Sequence, residues 1–99
     1  MAVHVLGLIK LQDPTAFEKY RAQVGATVEQ YGGRVTQRGV CGDIFWNELE
    51  CMPFSAYVQL EFPAAIDAQR WAYSPEYRAL VPIRNQAMQL TLFSMLPST

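Results

Sequence analysis

The sequence predicts an α+β domain in which helices cover one face of a four-stranded antiparallel sheet. Three observations predict it: apolar segments of strand length, one long segment with helical spacing, and their alternation in the order β-α-β-β-α-β. The chain has 99 residues, the length of one domain, so we predict a single domain over residues 1–99.

The first strand and the first helix have the clearest signals. The segment "VHVLGLIKL" (residues 3–11) is continuously apolar, which is typical of a strand covered on both faces. In "DPTAFEKYRAQVGATVEQYGG", Asp13 and Pro14 predict a helix start and two glycines its end. Gly25 costs this helix about 1 kcal/mol relative to Ala, which close packing would explain, with room for a ligand as the alternative. An apolar stripe recurs at spacings of three and four residues: Phe17, Tyr20, Val24, Val28 and Tyr31.

Two further strands follow the helix. The segment "RVTQRGVCGDIFW" (residues 34–46) predicts one long strand, bent or bulged at Gly39 and Gly42. The segment "AYVQLEF" (residues 56–62) alternates apolar and polar side chains, as a strand with two different faces does.

The second helix is predicted from about Pro63 to Tyr73, with Trp71 and either Ile66 or Ala68 facing inward. The segment "MQLTLFSML" then closes the sheet. The resulting order is the split β-α-β unit of the ferredoxin-like fold.

The segment "WAYSPEYRALVPIR" (residues 71–84) joins the second helix to the last strand. Ser74 and Pro75 predict the start of a short helix, and Pro82 is expected to stop or kink it. We interpret this segment as a lid over a pocket, with a role in the core as the alternative.

A four-stranded sheet with helices on one side leaves its other face bare, and here that face is apolar. Hydrophobic residues make up 51% of the chain and charged residues 17%, which favours burial against a second chain over an unusually apolar monomer. We therefore predict a homodimer in which two sheets pair face to face. The residues expected on this open face are His4, Leu6, Leu8, Tyr57, Gln59, Phe93 and Met95.

Composition argues against several classes of partner. The chain has 8 basic and 9 acidic residues, so its net charge would not attract nucleic acid or anionic lipid. No apolar run is long enough to span a membrane, and the start lacks the basic region of a signal peptide, so a cytoplasmic protein is expected. Cys41 and Cys51 are expected to be free thiols, with no metal site and no cofactor motif.

Four motifs carry a resemblance to a known family. "DPTAFEKY", "YGGRVTQRG", "LEFP" and "W..SPEYRAL.P.R" resemble the domain of unknown function 1330 family, within the dimeric α+β-barrel superfamily. The resemblance implies a ferredoxin-like protomer and a dimer whose two sheets form a barrel with the helices outside. It implies no single activity. Ser55 stands where members usually carry an arginine, so this chain lacks the contact if that arginine binds an anionic ligand in relatives. The apolar Phe54 beside it favours a less charged ligand.

Wider relatives implied by the resemblance include cofactor-free quinol monooxygenases, polyketide cyclases, muconolactone isomerases and haem-dependent chlorite dismutases. Many of them keep a small-molecule pocket between the sheet and the helices. Haem is not expected here, because the only histidine lies on a strand near the chain start.

Three residues are candidates for catalysis. His4 has the only side chain that ordinarily titrates near neutral pH, which suits a general acid or base; a dimer-interface histidine is the alternative. Arg38 and Glu61 lie within predicted strands, where an unpaired charge is costly. They are expected either to pair with each other or to hold a substrate carbonyl or enolate oxygen.

Aromatic residues supply candidate pocket walls, with ordinary core packing as the alternative. The walls are expected from Tyr20, Tyr31, Trp71, Tyr73 and Tyr77, and the predicted ligand contacts are Tyr20, Tyr57, Trp71 and Tyr77.

Together these patterns favour a pocket for a small aromatic or polyketide-like carbonyl compound, in a cofactor-free cyclase, isomerase or monooxygenase. A non-catalytic small-molecule-binding or stress-response module and a purely structural dimer are the alternatives.

Overall fold

A single antiparallel sheet organises the computed structural model, which describes residues 2–98. In space the strands follow the order β2-β3-β1-β4, and the predicted α+β class is confirmed. The strands are β1 (Val3–Leu11), β2 (Arg34–Val40), β3 (Ala56–Phe62) and β4 (Met88–Met95).

Helices connect β1 to β2 and β3 to β4, and they lie on one face of the sheet. The predicted β-α-β-β-α-β order is present, but the second connection contains a third helix beyond the two that the sequence predicts there. The helices are α1 (Pro14–Gln30), α2 (Ala65–Ala72), α3 (Pro75–Arg78) and α4 (Val81–Ala87).

Helix α1 begins and ends where the sequence predicts. The Asp13 carboxylate accepts hydrogen bonds from the backbone N–H groups of Thr15 (3.0 Å) and Ala16 (3.2 Å). The pKa of the Asp13 carboxyl is lowered from its ordinary value. The hydrogen bond from the Ala16 N–H lowers it most, and the hydrogen bond from the Gln86 side chain lowers it further. The packing explanation for Gly25 is wrong, because a Cβ there would meet nothing within 4 Å.

Two predictions about the second connection need correction. Pro82 does not end a helix; it lies in the first turn of α4, where the missing N–H of proline would be unpaired in any case. Ile66 is 50% exposed, and Ala68 is the inward residue beside Trp71. The Ser74 cap is present, since its hydroxyl accepts from the Tyr77 N–H at 3.1 Å.

Strand β2 is shorter than predicted and irregular at a different place. It ends at Val40, and residues 41–55 form a long loop without helix or strand. The register shifts by one residue at Thr36, between Val35 and Gln37, and not at the glycines. Because of this bulge, Arg38 lies opposite Val58 and faces the helices.

The two faces of the sheet differ in burial. On the helix face, Val5, Ile9, Leu60 and Phe62 pack into the main core against the helices. On the open face, His4, Leu6 and Leu8 of β1 are only half-buried. Within a single chain, β1 is therefore covered on one face, and not on both as its continuous apolar sequence predicts. The predicted open-face set is confirmed by the register, which aligns its members across the sheet: His4, Leu6, Leu8, Tyr57, Gln59, Phe93 and Met95.

Candidate functional site

A row of polar side chains crosses one end of the open face. The Glu61 carboxylate accepts from Arg34 Nη2 at 3.1 Å and lies 3.8 Å from His4 Nε2. Gln59 Nε2 lies 3.3 Å from His4 Nδ1. These groups are partly exposed, so the ion pairs contribute little to the stability of a single chain.

The helix face holds a polar chain of two buried tyrosines and a half-buried arginine. The hydroxyls of Tyr20 and Tyr77 lie 2.9 Å apart, and Arg84 Nη1 donates to the Tyr77 hydroxyl at 3.1 Å. Burial raises the pKa of Tyr20 well above its ordinary value, and the neighbouring Tyr77 raises it further. Tyr20 therefore keeps its proton and can donate a hydrogen bond. The Trp71 ring packs on Tyr77, with ring centroids 4.5 Å apart.

Arg38 lies beside this chain, at the edge strand β2. The Arg38 residue is exposed at this edge, but desolvation of its guanidinium lowers the pKa of Arg38 from its ordinary value, and the like charge of Arg21 lowers it further. Within residues 2–98, no carboxylate forms an ion pair with Arg38.

A small cavity lies between the sheet and the helices. Its volume is about 30 Å³, and Tyr20, Tyr77, Trp71 and Arg38 line it together with apolar side chains. That is roughly the space that one water molecule takes in the liquid, far below the roughly 300 Å³ of a small ligand pocket. The cavity alone therefore does not hold an aromatic ligand.

A wider groove adjoins this cavity at the end of the sheet. Its volume is about 410 Å³, within the range of ligand sites, and α1 and the first three strands form its walls. Arg38 lines both the cavity and the groove, and so do Ile9, Phe17 and Val58. Arg21 and Tyr57 also line the groove.

A third depression lies on the open face, between the sheet and the loop of residues 41–55. It measures about 710 Å³ and is bounded on the sheet by Leu6, Leu8 and Tyr57. The loop side chains are strongly exposed: Phe45 is 78% exposed, Trp46 82% and Leu49 89%. Such a concentration of exposed apolar side chains is unusual on the surface of a monomer.

The structure divides the predicted site residues between the two faces of the sheet. His4 and Glu61 meet on the open face, whereas Arg38 lies with Tyr20, Trp71 and Tyr77 on the helix face. The expected Arg38–Glu61 pair is wrong, since Arg34 is the partner of Glu61. The catalytic roles of all three residues stay predictions.

The lid interpretation of residues 71–84 also needs correction. Trp71 and Tyr77 are only 2% and 3% exposed and belong to the core. The sequence patterns did not single out Arg34 or Arg21. Tyr77 and Arg84 belong to two different helices, so no helical spacing in the sequence could have paired them.

Comparison with protein families gives a match to the domain of unknown function DUF1330 over residues 2–95, nearly the whole chain. The chain belongs to the DUF1330 family. Among proteins with curated descriptions, none matches its sequence. The family match confirms the resemblance that the four motifs carried.

Solved structures with similar folds are distant in sequence from this DUF1330 protein. A protein of unknown function from Rhodopseudomonas palustris has 21% identity and a TM-score of 0.76, covering 99% of this chain and 83% of its own. SnoaB, a cofactor-independent oxygenase from Streptomyces nogalater, has 11% identity and a TM-score of 0.67, covering 99% and 94%. A dimeric protein of unknown function with a ferredoxin-like fold, from Bacteroides fragilis, has 16% identity and a TM-score of 0.57, covering 95% and 94%.

At such low identities these similarities establish the ferredoxin-like fold and nothing about the reaction. Over residues 2–98, none of the helices has both the length and the apolar character needed to cross a membrane.

Proposed function

We propose that this DUF1330 protein is a homodimer that binds a small aromatic or polyketide-like carbonyl compound in the groove beside Arg38. We further propose that it acts on this compound as a cofactor-free cyclase, isomerase or monooxygenase. The observation that carries the proposal is the position of Arg38, which lines both a groove of ligand size and the tyrosine-lined cavity.

In this arrangement the apolar body of the ligand lies in the groove against Phe17 and Val58, and its carbonyl oxygen points toward Arg38. A guanidinium and a phenolic hydroxyl both donate hydrogen bonds, so they stabilise the negative charge that develops when a carbonyl compound enolises. Enolisation is a first step shared by cyclisation, isomerisation and oxygenation. The fold shared with SnoaB, a cofactor-independent oxygenase, supports the same class of chemistry.

The homodimer follows from the open face. The apolar side chains of Leu6, Leu8 and Phe93, together with the exposed loop aromatics, would lose their contact with water if a second copy covered this face. His4, Glu61 and Arg34 would then lie at the interface, in agreement with the interface alternative for His4. Proteins of this fold described as dimeric support the arrangement.

The dimer is tested with a charge placed on the open face. Leu6→Glu should shift the sedimentation equilibrium mass from two chains to one, because a carboxylate there would be buried without a partner. Ile66→Glu is the matched control, since Ile66 lies on α2, away from the open face, and is 50% exposed. A single-chain mass for the unmodified protein at micromolar concentration would contradict the dimer.

Ligand binding is tested by titrating aromatic carbonyl compounds, such as acetophenone, hydroxynaphthoquinone and anthrone, and by following product formation with mass spectrometry. Arg38→Met should weaken binding at least about tenfold, since a charge-assisted hydrogen bond contributes roughly 1.5–3 kcal/mol. Arg34→Met, on the opposite face, should leave binding unchanged. Unaltered binding by the Arg38 variant would remove the groove as the site.

A non-catalytic binding module is the second candidate, and one observation favours it. Throughout residues 2–98, neither a carboxylate nor an imidazole lines the cavity or the adjoining groove, so neither contains an obvious general base. Binding without turnover of any bound compound would select this alternative over the enzyme.

A further inference from the structure

The hydrogen bonds of the Tyr20–Tyr77–Arg84 chain can be counted, and the count leaves one proton without an acceptor. A guanidinium only donates, so the Tyr77 oxygen accepts from Arg84. The contact between the two hydroxyls uses one of their two protons, whichever of them donates. The other proton has no acceptor within the part of the chain that the structure describes.

That remaining proton belongs to a buried group. Tyr20 and Tyr77 are 8% and 3% exposed, and both line the cavity of about 30 Å³. A buried donor without a partner costs about 1–3 kcal/mol, so an acceptor atom placed in the cavity would be favoured, whether it belongs to a water molecule or to a ligand that displaces the water. Trp71 does not compete for this position, because its indole N–H donates to Thr27 Oγ1 at 3.0 Å.

Positive charge accompanies this donor. Arg38 lines the same cavity, and Arg21 lies near enough to disfavour the charge on Arg38. Arg21 has one weak partner, Glu18, at 3.6 Å, and both side chains of that pair are largely exposed. Arg84 adds a third guanidinium behind Tyr77.

The other polar groups at the groove supply no negative charge. Tyr57 contributes a phenolic hydroxyl, and the Ser55 hydroxyl hydrogen-bonds the backbone of Ile9 and Leu11 at 3.4 Å. The site therefore combines several donors and positive charges with no carboxylate lining it over residues 2–98. Such a site discriminates by ligand charge, because every polar partner it offers stabilises an anionic oxygen better than a neutral one.

We propose that this site binds its ligand as an oxyanion, the ionised oxygen of a phenol or enol, held by Arg38 and by one hydroxyl of the Tyr20–Tyr77 pair. The inference rests on the proposed function and narrows it to compounds that carry an ionisable hydroxyl beside the aromatic or carbonyl group. The apolar Phe54 favoured a less charged ligand, but Arg38 and Arg21 supply positive charge from β2 and α1 instead.

The test uses para-nitrophenol, whose colour reports ionisation, and para-nitroanisole, a methyl ether of similar shape that cannot ionise. The apparent pKa of para-nitrophenol should fall by about one unit in the presence of saturating protein, which corresponds to roughly tenfold tighter binding of the anion. Para-nitroanisole should bind more weakly than the phenolate. Circular dichroism of each variant confirms that it is folded.

Arg38→Met should abolish the shift, and Tyr20→Phe should reduce it. Arg34→Met is the control for loss of one positive charge, since Arg34 pairs with Glu61 on the other face and should leave the shift intact.

The possible outcomes separate the two proposals. Equal binding of para-nitrophenol and para-nitroanisole with no pKa shift would overturn the oxyanion inference and leave the proposed pocket in place. Binding of neither compound, nor of any aromatic carbonyl compound, would remove both. A shift that survives Arg38→Met, or disappears in Arg34→Met, would show that the anion binds elsewhere and would also overturn the inference.

Discussion

The two faces of one sheet differ in how their polar groups are satisfied. On the helix face, Tyr20 and Tyr77 hydrogen-bond each other in the buried core, and Arg84, which is only half-buried, donates to Tyr77. On the open face, Arg34, Glu61 and His4 form a partly exposed row. Because adjacent residues of a strand point to opposite faces, the same four strands supply both environments.

This difference shows which face a single chain completes by itself. The helix face has its core within one chain, together with the side-chain caps of α1 and α3 and all but one of the hydrogen bonds of the Tyr20–Tyr77–Arg84 chain. The open face retains half-buried leucines and an exposed loop, which one chain cannot cover. Substitutions on the helix face should therefore change the stability of the chain, whereas substitutions on the open face should change association.

The two tryptophans give the largest expected contrast. Trp71→Ala should lower the free energy of unfolding by about 3–5 kcal/mol, because it removes a buried ring that packs on Phe62 and Tyr77. Trp46→Ala, in the open-face loop, should change the unfolding of a single chain by less than about 0.5 kcal/mol. Urea denaturation over a range of protein concentrations measures both, since an effect on association depends on concentration. Equal losses from the two variants would abolish the contrast between the faces.

Tyr77→Phe measures how much the hydrogen bonds of the Tyr77 hydroxyl on the helix face contribute to stability. Removal of the hydroxyl leaves Arg84 and Tyr20 without their shared partner and should cost about 1–3 kcal/mol. Tyr73→Phe is the matched control, because Tyr73 is 71% exposed and should lose less than about 0.5 kcal/mol. Denaturation midpoints of the two variants that coincide would mean that the buried chain contributes nothing measurable.

Two glycines give the smallest effects, with opposite signs. Gly25→Ala should stabilise the protein by about 0.5–1 kcal/mol, because the added methyl group meets no neighbour and alanine favours the helix. Gly39→Ala should destabilise it, since its Cβ would lie 2.5 Å from the Tyr57 ring on β3. Thermal unfolding compares both with the unmodified protein. A loss of stability in the Gly25 variant would contradict the absence of neighbours there.

The sequence placed Arg38 on the wrong face of the sheet, and the structure shows why. A regular β2 would have placed Arg38 opposite Tyr57, on the same face as Glu61. The extra residue at Thr36 moves every later side chain of the strand to the other face, so Arg38 joins Tyr20 and Tyr77 instead. Nothing at Thr36 marks the bulge, whereas Gly39, which suggested one, is explained by contact with Tyr57.

The sequence predicted the structure correctly wherever interactions between near neighbours in the chain determine the local conformation. The start of α1 at Asp13 follows from hydrogen bonds between near neighbours, and alternation in β3 follows from strand geometry. The sequence by itself therefore determined the order of the strands, the composition of the open face and the family. Only tertiary structure decided that three helices precede β4, that β2 bulges at Thr36, and that Arg38 and Glu61 are separated by the sheet, because these features depend on pairing and packing between residues distant in the chain.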